Sequence, residues 1–207
     1  SIHGRTIPVA TGIKLANPRL KVIVVSGDGD ATAIGGNHLI HAARRNMDIT
    51  LICMNNNIYG MTNGQYSPMT PTSMLATTAP YGNLERNFDL CKLVEGCGAN
   101  YVARATAAHP RNISQYIEYA LTHKGFQFVE VMTQCPTYYG RRNKLGGPVE
   151  MINSLKQNTI LNTAAAKLPP EKLEGKIQIG EFVKKEELTY LDRFDAMVDR
   201  ITGGVKP

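Results

Sequence analysis

Residues 22–57 have the sequence VIVVSGDGDATAIGGNHLIHAARRNMDITLICMNNN, in which two short apolar runs flank a stretch of helical spacing. The first run, residues 22–25, consists of valine and isoleucine and is too short for a helix. Residues 49–54 form a second such run, and residues 31–45 between them carry apolar side chains at helical spacing. A strand, a helix and a second strand in this order predict a parallel β-α-β unit.

The same alternation continues along the chain. Apolar runs predict further strands near residues 101–104 and 128–132. Helical spacing predicts one helix that begins at Pro110 and another that includes residues 90–94. The predicted fold class is α/β, with a mostly parallel sheet covered by helices on both faces. Beyond residue 150 the charges become denser and apolar clusters fewer. We therefore expect one domain over residues 1–150 and a C-terminal extension over residues 151–207, which serves as a subunit contact or surface tail.

Composition narrows the class of protein. The chain has 207 residues, 43% of them hydrophobic, which is enough for one substantial core. Its net charge of +6 is not gathered into a basic block, so neither nucleic acid nor a membrane is an expected partner. The 4 cysteines form no Cys-x-x-Cys pair, and the first residues lack the features of a signal peptide, so a cytoplasmic protein with reduced thiols is expected. Because Ser1 opens directly into Ile-His-Gly-Arg, we also expect an N-terminal part to be missing.

Polar motifs follow the first two predicted strands. The first strand ends in Gly27-Asp28-Gly29-Asp30, which offers unobstructed backbone N–H groups and carboxylates beside the start of the next helix. The second strand ends in Asn55-Asn56-Asn57, whose amide oxygens emerge at the same sheet edge if the strands are neighbours. Taken singly, a Gly-Asp-Gly is more often a turn, and a run of asparagines often only ends a strand. Together they predict a site for phosphates and Mg²⁺, which prefers oxygen ligands.

The two motifs at this spacing resemble the thiamin diphosphate fingerprint. With the following residues 58–65, IYGMTNGQ, and with His3-Gly4-Arg5, they resemble the β subunit of the 2-oxoacid:ferredoxin oxidoreductases over roughly residues 1–150. The resemblance implies that Mg²⁺ is held by Asp28, the Asn56 side chain and the Ile58 carbonyl. It implies a cofactor-binding set made of Gly27, Asp28, Gly29, Asp30, Asn56, Ile58, Tyr59, Gly60, Met61 and Thr62. Asn63 stands where the family commonly has glycine, and the turn is expected to survive because asparagine tolerates positive φ.

The segment 134–143, QCPTYYGRRN, resembles subunits that act on 2-oxoglutarate. Arg141 or Arg142 could bind the distal carboxylate of that substrate, because arginine binds carboxylates bidentately; equally, both arginines could be solvated or contact a partner subunit. Cys135 is either a small buried side chain or, by resemblance, the last ligand of a [4Fe–4S] cluster whose other cysteines this chain does not supply. The resemblance also places His3 near the cofactor, as a catalytic candidate.

The resemblance implies the β subunit of an enzyme that decarboxylates a 2-oxoacid, 2-oxoglutarate in particular. In such an enzyme, coenzyme A is expected to take the acyl group to give succinyl-CoA, and electrons are expected to pass through a [4Fe–4S] cluster of the full complex to ferredoxin or a ferredoxin-like subunit. An α subunit is expected to supply the glutamate that activates thiamin, so activity requires partner subunits. Two alternatives remain open: a non-oxidative thiamin diphosphate-dependent decarboxylase or synthase module, and a non-catalytic, partner-binding subunit.

Overall fold

The computed structural model describes residues 2–203, which form a six-stranded sheet with helices on both faces, and a small two-stranded sheet. The strands are β1 (Ile23–Gly27), β2 (Thr50–Asn55), β3 (Ile58–Tyr59), β4 (Gln65–Tyr66), β5 (Tyr101–Thr106), β6 (Gln127–Met132), β7 (Thr159–Leu161) and β8 (Ile177–Lys184). The helices are α1 (Thr6–Ala16), α2 (Gly36–Arg44), α3 (Leu90–Gly96), α4 (Pro110–Thr122), α5 (Pro148–Gln157), α6 (Asn162–Ala165) and α7 (Tyr190–Thr202). Short π-helical turns span Asp30–Ile34 and Pro136–Gly140, and a 3-10 turn spans Pro170–Lys172.

The order of the main sheet is β1-β2-β6-β5-β8-β7. The first four strands in that order are mutually parallel, β8 runs antiparallel to β5, and β7 is parallel to β8. In this register Gly27 pairs with Met54, and Asn55 pairs with Met132. The carboxyl ends of β1, β2 and β6 therefore meet at one edge, and the predicted α/β class with a mostly parallel sheet is confirmed.

Two hydrophobic clusters cover the two faces of the sheet. One face carries α1, α2 and α3, with Leu39 and Leu90 packed in the same cluster as Leu51 and Phe128 of the strands. The other face carries α4, whose apolar side packs on β5 and β6. Burial of these side chains supplies the main free energy that holds the layers together, at about 25 cal/mol per Å² of apolar surface.

The helix predicted over residues 31–45 is divided in the structure. Residues 30–34 form a π-helical turn and α2 begins only at Gly36. Gly35 lies against the Asp30 carbonyl so closely that any Cβ there would come within 3.0 Å of it. The spacing of apolar residues does not distinguish a π turn from an α turn, so this irregularity was not predicted.

Part of the predicted C-terminal extension joins the sheet. β8 pairs with β5, and Phe182 and Val183 pack against the main core. α7 is different, since none of its residues is buried. Within residues 2–203, no helix has both the length and the hydropathy that a bilayer span requires.

Candidate functional site

A cavity of about 460 Å³ opens where β1 and β2 end. Its wall is formed by the loop after β1, the turn after β2, and the N-terminal segment that precedes α1. The lining residues are His3, Gly27, Asp28, Gly29, Asp30, Met54, Asn56, Ile58, Tyr59, Gly60, Met61 and Thr62. The cavity therefore brings together every residue predicted to bind the cofactor or the metal, apart from Cys135, and also His3.

Asp28 is the buried carboxylate of this cavity, with 2% of its surface exposed. Burial raises the pKa of Asp28 from its ordinary 3.8 to about 6, although hydrogen bonds from Ser67 and from the backbone of Asn56 act in the opposite direction. No cationic side chain among residues 2–203 forms an ion pair with it. A buried carboxylate without a cation is costly, so the site fits a bound positive ion.

The three asparagines after β2 have separate roles. Asn55 is fully buried; its Oδ1 accepts from the Asn57 N–H at 3.0 Å. Asn57 takes a positive φ of 63°, which closes the turn. Asn56 is the member that lines the cavity, and its Oδ1 accepts from the Ile58 N–H at 3.2 Å. An amide oxygen has two lone pairs, so Asn56 keeps acceptor capacity for a cation.

These donors define the kind of metal that the cavity fits. Within the described part of the chain, no group of three or more His, Cys, Asp or Glu side chains could hold a metal ion. The cavity instead offers one carboxylate, one amide and backbone carbonyls. Hard cations such as Mg²⁺ accept this donor set when phosphate oxygens and water complete it. The residues present therefore fit Mg²⁺ together with a phosphate-bearing cofactor.

Glycine is required at position 29 because the Tyr59 ring lies too close for any side chain, and not because of the backbone angles. Its φ of −63° and ψ of −36° are open to any residue. A Cβ at this position, however, would lie within 3.0 Å of the Tyr59 ring, and the Tyr59 hydroxyl donates to the Gly29 carbonyl at 2.8 Å. The glycine loop and the asparagine turn are thus packed directly against each other, which fixes the distance between the two halves of the cavity.

Asp30 anchors the segment that carries His3. One carboxylate oxygen accepts from the Gly4 N–H at 2.6 Å and lies 2.5 Å from His3 Nδ1, while Ser26 donates to the other oxygen. Burial acts to raise the pKa of Asp30, but these hydrogen bonds and the charge of His3 outweigh it, and the pKa is lowered. The ring of His3 stands edge-on to Tyr59 at 5.7 Å between centroids, at the rim of the cavity.

The loop after β3 confirms the expectation for Asn63. Its φ is 71°, and the following Gly64 has a φ of 84°, so asparagine supports the turn in which the family commonly has glycine. The side chain has a further role, because the Tyr138 hydroxyl donates to Asn63 Oδ1 at 2.9 Å. The loop is thereby tied to the segment that follows β6.

The arginines proposed for the substrate lie apart from this cavity. Arg141 and Arg142 are exposed and line a separate depression with Thr137 and Tyr138. Arg142 donates to Thr77 Oγ1 at 3.2 Å.

The cysteines differ in their surroundings. Cys135 is half-buried and packs with Ile58 and its neighbours, and a Cβ added to Gly60 would lie 3.7 Å from its sulfur. Cys53 and Cys91 are buried in the core, where burial raises the pKa of each thiol well above its ordinary value. The absence of Cys53, Cys91 and Cys97 from the family's ligand motif predicts three core thiols; Cys53 and Cys91 confirm this, whereas Cys97 is only half-buried.

Two groups of functional neighbours were missed in the sequence. Ser67, which donates to Asp28, lies in a turn of ordinary composition, and the sequence carries no sign of its partner. Behind the asparagine turn, Asn55 donates to Glu130 at 2.7 Å, and Glu130 accepts from Arg104 at 2.6 Å. Charged residues inside the apolar runs of β5 and β6 are unusual and could have indicated this buried network.

Similarity to known proteins identifies the family of the chain. Residues 1–131 match the family described as "Thiamine pyrophosphate enzyme, C-terminal TPP binding domain". The "2-oxoglutarate synthase subunit KorB" of Methanothermobacter marburgensis is 53% identical over 203 residues, covering 98% of this chain and 71% of the relative. The subunit of the same name from Methanocaldococcus jannaschii is 51% identical over 199 residues, covering 96% of this chain and 74% of the relative.

A solved structure agrees with these relatives. It is described as "2-oxoglutarate:ferredoxin oxidoreductase from Magnetococcus marinus with 2-oxoglutarate, coenzyme A and succinyl-CoA bound". The TM-score is 0.82 at 33% sequence identity, and the match covers 98% of this chain and 69% of that chain. The cavity at the ends of β1 and β2 thus lies in a recognised thiamin diphosphate-binding domain, and the chain belongs to the family of KorB subunits of 2-oxoglutarate synthase.

Proposed function

We propose that this chain is the β subunit that binds thiamin diphosphate and Mg²⁺ in a 2-oxoglutarate:ferredoxin oxidoreductase. The complex would convert 2-oxoglutarate and coenzyme A into succinyl-CoA and CO₂, with electrons passing to ferredoxin. The observation that carries the proposal is the buried Asp28 carboxylate, which has no cationic partner within residues 2–203 and lines one cavity with Asn56. The names of the KorB relatives, and the ligands bound in the similar Magnetococcus marinus enzyme, support the substrate.

The metal would be held by Asp28, Asn56 and the Ile58 carbonyl, and it would neutralise the buried charge of Asp28. Gly27 and Gly29 bring their backbone to the cavity wall at the place proposed for the diphosphate, and Thr62 offers a hydroxyl at the same wall. When bound, thiamin diphosphate supplies the electron sink for decarboxylation. The part of this chain is to hold the cofactor in one orientation and to exclude water from its charged end.

His3 is proposed as a catalytic group at the rim. Asp30 engages its Nδ1, so Nε2 is the nitrogen left to hold or move a proton. For Arg141 and Arg142, a contact with the distal carboxylate of the substrate remains a proposal. Their exposed position in a separate depression favours the other possibilities, solvation or contact with a partner subunit.

The proposed reaction also needs groups from partner subunits. An α subunit would supply the glutamate that activates thiamin. Cys135, beside Gly60 in the cavity wall, would be one ligand of a [4Fe–4S] cluster, with the other ligands supplied from outside residues 2–203. Electrons would leave through this cluster to ferredoxin or a ferredoxin-like subunit.

The test is calorimetric titration of thiamin diphosphate into the complex purified with its co-expressed partners, with and without Mg²⁺. Asp28→Ala is the test variant, and Asp195→Ala, on the exposed surface of α7, is the matched control. We expect Mg²⁺-dependent binding in the wild type and the control and none in Asp28→Ala. Reduction of a viologen dye that needs both 2-oxoglutarate and coenzyme A would then establish the reaction. Decarboxylation without dye reduction would indicate a non-oxidative enzyme, and no binding at all would indicate a non-catalytic subunit.

A further inference from the structure

Two buried hydroxyl groups stand behind the cavity. Ser67 and Thr70 belong to the turn that follows β4, and they are 1% and 0% exposed. The turn is closed on itself, because the Thr70 N–H donates to the Ser67 carbonyl and the Ser67 N–H donates to Thr70 Oγ1, each at 2.9 Å. We name this pair of residues the hydroxyl clamp.

Each hydroxyl of the clamp donates to a different half of the cavity. Ser67 donates to Asp28 Oδ2, across 39 residues of sequence, and itself accepts from the Met69 N–H at 3.1 Å. Thr70 donates to the Asn57 carbonyl at 2.5 Å. A hydroxyl has one proton to donate, so each of these is committed to its acceptor. The clamp thus joins the loop after β1 to the turn after β2.

The clamp is itself fixed from behind. Asn83 is 4% exposed, and its Nδ2 donates to the Thr70 carbonyl at 2.7 Å. The Asn83 backbone pairs with Ser73 and Met74 on the far side of the same loop. The turn that carries the two hydroxyls is therefore held in place by contacts that do not involve the cavity.

We propose that Ser67 and Thr70 are positioning residues for the metal and diphosphate site, an inference that rests on the function proposed above. Ser67 sets the rotation of the Asp28 carboxylate, and Thr70 sets the peptide that links Asn57 to Ile58. Neither residue is among those lining the cavity, so each acts through the group to which its hydroxyl donates. Loss of a group that orients a metal ligand in this way typically lowers metal affinity by about 10- to 100-fold.

The test uses the complex purified with its partners and four variants of this chain. Ser67→Ala and Thr70→Val remove one hydroxyl each, and Thr70→Ser keeps the hydroxyl while removing a methyl group. Thr72→Val is the matched control, because Thr72 is exposed in the same loop and its hydroxyl donates to the Glu85 carbonyl instead of to the cavity. The readouts are the affinity for thiamin diphosphate at fixed Mg²⁺, by calorimetry, and the separate effects on KM for the cofactor and on kcat.

Ser67→Ala and Thr70→Val should weaken Mg²⁺-dependent binding by about 10- to 100-fold. Their kcat at saturating Mg²⁺ and cofactor should remain close to that of the wild type, because the ligands themselves are intact. Thr70→Ser and Thr72→Val should bind as the wild type does. Thermal unfolding without cofactor serves to compare the stability of Thr70→Val with that of Thr72→Val.

Three results would contradict the proposal that the hydroxyl clamp positions the metal site. Unchanged affinity in both Ser67→Ala and Thr70→Val would do so while leaving the proposed function intact, provided that Asp28→Ala still abolishes binding. An equal loss in Thr72→Val would assign the effect to the loop as a whole and not to the clamp. Absence of Mg²⁺-dependent binding in the wild type would remove the proposed function and the clamp together.

Discussion

At the scale of single residues, Asp28 opposes folding and favours cation binding through the same property, its burial. The folded protein holds this carboxyl with a pKa of about 6, against 3.8 ordinarily. Between those values the folded state keeps a proton that the unfolded chain has released. The stability from protonated Asp28 is thus fully present below about pH 4 and is lost as the pH rises through about 6.

Asp28→Asn should therefore stabilise the cofactor-free protein at neutral pH. The pKa difference sets an upper bound of about 3 kcal/mol, and we expect an increase of roughly 1 to 3 kcal/mol in the free energy of unfolding near pH 7.5. Near pH 4 most of this increase should be gone, because Asp28 is then protonated in the folded state and about half protonated in the unfolded chain. Urea unfolding of both proteins at the two pH values measures this. If the two proteins differed equally in free energy of unfolding at both pH values, the charge of Asp28 would not be what opposes folding.

Gly27 and Gly29 provide a second comparison at this scale. A Cβ at Gly29 would collide with the Tyr59 ring, whereas a Cβ at Gly27 meets no atom within 4 Å. Gly29→Ala should lower the free energy of unfolding by about 1 to 3 kcal/mol, since the ring must move and its hydrogen bond to Gly29 is strained. Gly27→Ala should change the stability of the cofactor-free protein by less than about 0.5 kcal/mol. Denaturant unfolding of the two variants measures these changes. Equal losses of free energy of unfolding would contradict the close packing of Tyr59 on Gly29.

The sequence predicted which residues line the cavity but not how each is used. The glycine loop and the asparagine turn are local patterns, so Asp28 and Asn56 could be found from the chain alone. Which asparagine enters the cavity depends on the Asn57 turn and on the contact between Asn55 and Glu130, which lies 75 residues away. The partner of Asp28, Ser67, is also distant in sequence, at 39 residues. Pairings of this kind arise only when the strands are assembled.

At the scale of elements, the order of the strands creates a buried network that no single strand contains. β6 lies between β2 and β5, so Glu130 lies between Asn55 and Arg104, and Arg104 also contacts Asp89 at 2.6 Å. Burial acts to lower the pKa of Arg104, but the charge of Glu130 outweighs it and the pKa is raised. Apolar runs predicted all three strands, whereas their order requires knowledge of the crossovers. The network supports the asparagine turn from behind, through Asn55.

Removal of the Glu130 carboxylate should strongly lower the free energy of unfolding. Glu130→Gln leaves the buried Arg104 guanidinium with only Asp89 as a charged partner, and we expect a loss of about 3 kcal/mol or more in the free energy of unfolding. The double variant Glu130→Leu with Arg104→Met should recover much of this loss, because no uncompensated charge remains. Urea unfolding of the single and double variants is the measurement. A single variant as stable as the wild type would show that Glu130 is not the balancing charge of Arg104.

At the scale of the whole molecule, one sheet spans both the predicted domain of residues 1–150 and the extension of residues 151–207. β8 supplies an antiparallel neighbour for β5, and Glu181 accepts from the Tyr101 hydroxyl at 3.0 Å. The alternation of Ile177 and Ile179 with polar residues is a strand pattern, but it is short and lies among charges, which is why sequence alone indicated only a subunit contact or surface tail. α7 fits that description better, since none of its residues is buried.

Two truncations of the expressed chain separate these roles. A chain that ends at residue 190 loses α7 but keeps the Tyr190 N–H bond to the Asn46 carbonyl, so its unfolding midpoint should fall by less than about 4 °C. A chain that ends at residue 157 also loses β7, α6 and β8, which leaves the edge of β5 unpaired and uncovers core that Phe182 and Val183 pack against. This shorter chain should aggregate or lose cooperative unfolding. Soluble yield and thermal unfolding by circular dichroism compare the two; a cooperative, soluble chain ending at residue 157 would mean that residues 1–150 fold independently of β8.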